Sequence, residues 1–173
     1  MKKLFYNIGI WFSLLTFFKK KKNQKQLTKF FNSSTKAIVI TPTSSEEKKL
    51  SVPFLQWIQK KFSYHQLTII TFETFKDIAP FVEICNALTI LPEHINLFGY
   101  LKPEMNNQLQ NLESDIFIDL TFENNSIANN LLKSSNFQTS VGFNKKGADK
   151  LYTIIVKPGA NPFEQMKNTL SMF

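Results

Sequence analysis

The sequence predicts a three-layer α/β domain, Rossmann-like, with a mostly parallel sheet of about six strands. Three observations carry this. Residues 115–121, DIFIDLT, put Ile116, Ile118 and Leu120 on one side of an extended chain and Phe117 and Asp119 on the other, so both faces are largely apolar. A strand of that kind belongs in a sheet covered on both sides, and such sheets are usually parallel. Next come Asn124, Asn125 and Ser126, all N-cap types, then a helical pattern of Ile127, Ala128, Leu131 and Leu132, then a strand-like run at 138–143. That is a compact βαβ unit. Finally, apolar runs recur at 36–41, 66–72, 87–91 and 152–157, each bounded by turn residues or helical patterns.

Charge divides the chain into an arm, 1–35, and one domain, 36–173. All 21 basic residues are Lys. Residues 1–30 hold eight of them and no acid, while residues 31–173 hold 13 Lys and 13 acids, so the net charge of +8 resides in the arm. Such asymmetry points to an anionic partner surface. Residues 4–18 are mostly apolar and lie between Lys2, Lys3 and Lys19, Lys20, Lys21, Lys22. As a helix they span about 22 Å, short of a bilayer core of about 30 Å. Four lysines, and no small-residue cleavage site, follow the apolar run, which argues against a secretory signal. Lys2, Gly9, Ser13, Thr16 and Lys20 fall on one stripe of a helical wheel, with Phe5, Ile8, Phe12 and Leu15 away from it and Trp11 to one side. The pattern suits a helix in a membrane interface, with Lys2, Lys3, Trp11, Phe12 and Lys19–Lys22 as its contacts. A helix docked on the domain's own surface is the alternative. Nucleic acid ranks last, because no Arg is present for bidentate contacts.

Residues 24–35, polar with Phe30 and Phe31 among them, read as linker or helix extension. After the first strand, 36–41, the pairs Thr43/Glu46 and Ser44/Glu47 both fit a capping box. Pro53 disfavours one continuous helix, so the main helix is expected to be capped by Ser51 with Pro53 in its first turn and Phe54, Leu55, Ile58 and Phe62 buried. A short helix or loop with Phe75, Ile78, Phe81 and Val82 separates the strands at 66–72 and 87–91. A short edge strand is expected at 95–98, ended by residues 99–103, and a helical turn at 107–112. Residues 144–149 read as a polar loop. Asn161, Pro162 and Glu164 signal the cap and first turn of a last helix whose inner face is Met166, Leu170 and Phe173.

The chemistry of a recognisable enzyme is missing. Glycines 9, 99, 142, 147 and 159 form neither a dinucleotide fingerprint nor a phosphate loop. His65, His94 and the single Cys85 have no ligand-like spacing, so no metal and no cofactor is expected. One Cys permits no internal disulfide and fits a reducing compartment. Asp119 is the one carboxylate inside a strand. It is either a ligand or catalytic group, or an acceptor for nearby N–H groups. Ligands of open α/β sheets bind beyond the carboxyl ends of the strands. There Thr43, Ser44, Thr121, Asn124 and Asn144, with Asp119, form a candidate rim, although all are also cap and turn types.

Residues 115–121, then Ser126, Ala128, Leu131 and Leu132, then 140–143, SVGF, resemble a bacterial domain-of-unknown-function family of short α/β proteins with a basic N-terminus. They are also similar to the N-terminal half of heptosyltransferase-type glycosyltransferases. The first resemblance implies a fold and no activity. In the second, Pro42, Thr43 and Ser44 stand where those enzymes carry a Gly-Asp pair that includes their proposed base, and no residues remain for their nucleotide-sugar domain. The expectation is therefore a non-catalytic protein, cytoplasmic and peripheral to the inner membrane, with an anionic membrane surface as partner and a protein partner as a further option. The alternative is a glycosyltransferase-like or nucleotide-binding domain that needs a partner.

Overall fold

The structure, a computed structural model, describes residues 10–11, 30–72, 86–134 and 137–173. The elements are α1 (Phe30–Ser33), β1 (Ala37–Ile40), α2 (Ser45–Lys61), β2 (Leu67–Phe72), β3 (Asn86–Ile90), α3 (Pro103–Gln110), β4 (Ile116–Asp119), α4 (Ser126–Ser134), β5 (Thr139–Phe143), α5 (Ala148–Leu151), β6 (Ile154–Val156) and α6 (Pro162–Ser171). The six strands form one sheet in the order β3-β2-β1-β4-β5-β6, and every pair is parallel. This is a doubly wound, Rossmann-like arrangement, with β1 and β4 as its central strands.

Alternation along the strands builds two cores. Ala37, Val39, Leu67, Ile69, Ile116, Ile118 and Leu120 face α1, α2 and α6. Ile38, Ile40, Ile70, Phe72 and Phe117 face α3, α4 and α5. The two-sided apolar pattern of residues 116–120 is thus used in full: all five are completely buried. Chain continuity follows the same logic. The helix after β1 lies on one face and the helix after β4 on the other, so the two connections diverge between adjacent strands.

Five segments differ from expectation. The helix after β1 runs unbroken from Ser45 to Lys61, capped by Ser44 accepting from the Glu47 N–H at 3.2 Å, and Pro53 lies inside it. Pro53 and Lys49, whose carbonyl it leaves without a helical donor, are both exposed, so that carbonyl faces water. Ser51 caps nothing; its hydroxyl donates back to the Lys48 carbonyl at 2.7 Å. Residues 95–98 make no sheet strand. Ile95 bridges Leu101 across a tight turn in which Asn96 accepts from the N–H groups of Phe98 and Tyr100. The helix before β4 starts earlier, with Pro103 in its first turn, where a missing N–H costs nothing. Part of the loop at 144–149 folds into α5, and the last strand begins only at Ile154. The expected helix or loop at 73–85 lies outside the described residues. The last helix follows its sequence signals, with Asn161 as cap and Met166 and Leu170 fully buried.

Phe30 and Phe31, read as linker or helix extension, are the start of helix α1 and pack into the core of the domain. Phe31 is buried against Trp57 and Phe62, and Phe30 packs on Phe173. The chain therefore enters the domain where α2 and α6 end, at the amino edge of the sheet. Asp115 organises that edge: its Oδ2 accepts from Thr35 N, Thr35 Oγ1 and Lys36 N at 2.7, 2.8 and 3.1 Å. Partial burial pushes this carboxyl up, but those hydrogen bonds and the Lys36 charge outweigh it and hold it below its ordinary value. A carboxyl depressed on folding binds protons more readily when unfolded. Its contribution is therefore present above about pH 4 and is lost as pH falls through the folded value. Asp115→Asn is expected to cost under about 1 kcal/mol at neutral pH, because the clamp is solvent-screened. The gap to the wild type should close on acidification, read as urea midpoints; a gap that ignores pH sinks this account.

Candidate functional site

The carboxyl end of the sheet is built from the residues that leave each strand. After β1 come Thr41, Pro42, Thr43 and Ser44; after β4 come Leu120 to Asn125; after β5 come Asn144 to Gly147. Because Ile40 pairs with Asp119, and Asp119 with Gly142, these three connections leave from neighbouring positions. Thr43, Ser44, Thr121, Asn124 and Asn144 therefore share one end of three adjacent strands, and Asp119 lies just inside it.

Asp119 is completely buried and its carboxylate is saturated. Oδ1 accepts from Thr121 N at 2.8 Å and from the Thr121 hydroxyl at 2.6 Å. Oδ2 accepts from Lys145 Nζ at 3.0 Å and from the Tyr152 hydroxyl at 2.6 Å. Four donors meet the roughly four acceptor positions of a carboxylate. Lys145 is equally committed: its side chain is 3% exposed, and its ammonium also reaches Thr121 Oγ1 at 2.7 Å, Thr121 O at 3.0 Å and Glu123 O at 3.2 Å. The ion pair thus fastens the β4–α4 connection to the β5–α5 connection. Burial, and then the Asp119 charge and hydrogen bond, push the Tyr152 hydroxyl well above its ordinary pKa, so it remains a donor.

A glycine makes room for this network. A Cβ on Gly142 would come within 2.5 Å of the Tyr152 ring, which lies over the β5 backbone there. A glycine inside a strand often marks such a close approach. Gly142→Ala should therefore displace the ring, break the Tyr152–Asp119 bond and destabilise the domain by about 1–3 kcal/mol. Chemical denaturation checks this, and a spectrophotometric tyrosine titration should show one phenol moving back toward its ordinary pKa. An unchanged titration argues against it.

The other rim residues are placed as follows. Ser44 serves as the α2 cap, and Thr43 and Asn144 are exposed. Asn124 donates from Nδ2 to the Lys146 carbonyl at 3.0 Å, while its buried Oδ1 has no hydrogen-bond partner among the described residues. Asn125 caps α4, accepting from Ile127 N and Ala128 N. The Ser126 hydroxyl donates to the Gly99 carbonyl and ties the 95–101 turn to the start of α4. Sequence reading missed Lys145, Tyr152 and Gly142. The signal for Lys145 was available: a carboxylate inside a doubly buried strand needs a cation, and this one follows the next strand. Among the described residues no three His, Cys, Asp or Glu side chains gather as a metal site would require.

In the arm, Ile10 and Trp11 are helical and Trp11 is 56% exposed, while Lys2, Lys3, Phe12, Lys19, Lys20, Lys21 and Lys22 lie outside the described residues. No helix among the described residues is long and apolar enough to cross a membrane. No protein-family model, curated protein or solved structure matches this chain.

Proposed function

We propose that this chain is a non-catalytic α/β protein that acts through interactions at the cytoplasmic face of the inner membrane, where its basic, apolar arm holds it. The observation that carries this reading is the segregation of charge: eight Lys and no acid in residues 1–30, against 13 Lys and 13 acids in the rest. Lysines beside an anionic surface contribute about 1 kcal/mol each, and the adjacent apolar run adds burial that salt does not screen. Two features of the domain support a binding role. The strand carboxylate Asp119 has no free acceptor position to offer a substrate. The arm joins at the amino edge of the sheet, so a domain tethered through it keeps its carboxyl rim clear of the tether.

Co-sedimentation of the full-length protein with liposomes tests the proposal. Binding to anionic vesicles at low salt, but not to neutral ones, is expected. Replacing Lys19, Lys20, Lys21 and Lys22 with Gln should weaken it more than tenfold, since about 1.4 kcal/mol is a factor of ten. That loss should fade at high salt as screening shortens the reach of charge, whereas the loss from Trp11→Ala with Phe12→Ala should not. Protein that stays in the supernatant with anionic vesicles at low salt ends this reading and favours an arm docked on the domain.

The strand order favours a second reading, a nucleotide-binding or glycosyltransferase-like domain that needs a partner. In this order ligands occupy the crevice outside the carboxyl ends of the central strands. Saturable nucleotide or nucleotide-sugar binding by the pure protein supports it.

A further inference from the structure

Thr41 and Thr71 are completely buried, and the hydroxyl of each has no hydrogen-bond partner among the described residues. The two stand side by side. Ile40 and Ile70 are register partners, and each threonine is the next residue of its chain. Ala37, Val39, Leu67 and Ile69 face α2, so by alternation Thr41 and Thr71 lie on that face too. Lys48, the fourth residue of α2, is 3% exposed on the same side, and its ammonium donates to the carbonyl of Phe72, the residue after Thr71. Two hydroxyls and an ammonium therefore lie at the carboxyl ends of β1 and β2, at the end of the sheet where the 17-residue α2 begins.

A buried hydroxyl without a partner costs stability that a valine of the same shape avoids. Two in register, beside a cation and the positive end of a long helix, form a set of donors suited to an oxyanion. We propose that Thr41, Thr71 and Lys48 form a binding site for the oxyanion of a small-molecule ligand, a phosphate or carboxylate group, reached from the rim of the central strands. The acids Glu46 and Glu47 in the first turn of α2 oppose an anion. Selection therefore comes from the hydroxyl and ammonium donors and not from net surface charge. The site is independent of the arm, and it supplies an anchor for the nucleotide-type reading.

The test is thermal unfolding of the full-length protein in an anion-poor buffer, with inorganic phosphate or acetate titrated to about 10 mM, a range that reports millimolar affinity. The wild type is expected to melt higher with rising phosphate, or with acetate if the natural group is a carboxylate. The Thr41→Val, Thr71→Val double variant should melt at the same temperature or higher without ligand, yet bind the anion at least about tenfold more weakly. The Thr41→Ser, Thr71→Ser variant keeps the donors and should respond like the wild type. All three proteins carry the same arm, so anion binding by its lysines cancels. The proposal is overturned by a wild type that responds to neither anion, by equal responses from the wild type and the valine variant, or by a serine variant that has lost the response. It is overturned as well by a valine variant that is destabilised or fails to fold, because the hydroxyls would then be paired within the fold.

Discussion

Replacing Asp119 with alanine is expected to destabilise the domain by about 3–5 kcal/mol, because breaking a buried ion pair leaves its partner charge uncompensated. The Lys145 side chain is 3% exposed and cannot reach water without leaving Thr121 and Glu123, which it holds in place. Three further donors lose their acceptor at the same time: the Thr121 N–H, the Thr121 hydroxyl and the Tyr152 hydroxyl. Asp119→Asn keeps the shape and one acceptor oxygen, so it should cost less than the alanine. Pairing Asp119→Leu with Lys145→Met removes both charges together and should recover only the part of the loss that comes from the uncompensated ammonium, because the Thr121 and Tyr152 donors still lack an acceptor. Urea unfolding with a double-mutant cycle measures all of these. A loss under about 1 kcal/mol for Asp119→Ala would mean that Lys145 finds another partner or escapes to solvent.

The second large effect is expected at Ile118, where truncation to alanine should cost about 2–5 kcal/mol. Ile118 is completely buried in a central strand, opposite Val39 of β1 on one side and Val141 of β5 on the other. All three belong to the core that α1, α2 and α6 cover. A cavity there is walled by strands paired on both edges, so the surroundings cannot collapse into it, which places the loss toward the upper end of that range. Ile155→Ala is the control. It removes a comparable side chain, 40% exposed, from the edge strand β6, and should cost far less. Equal losses at the two positions would contradict the central placement of β4.

The sequence alone determined whatever depends on spacing along the chain. Two apolar faces in 116–120 required a covered parallel sheet, and the cap residues Ser44 and Asn161 sit where helix starts need acceptors. These are local rules, acting over a few residues and surviving whatever packs nearby. Where two local rules conflicted, surroundings decided. Pro53 argued for a break in α2, but an exposed position let water meet the carbonyl it leaves unpaired, and apolar contacts from Val52 through Ile58 kept the helix whole. The partners of Asp119 were a tertiary matter. Lys145 and Tyr152 lie 26 and 33 residues away, and only the β4–β5 register, with Gly142 making space, brings them to one carboxylate. The same holds for Thr41 beside Thr71: each alone is an ordinary strand-end threonine, and the pairing of β1 with β2 sets their hydroxyls side by side. Pattern along a chain reports which face a side chain takes; what it meets there depends on strand order and register, which are set by packing between segments distant in sequence.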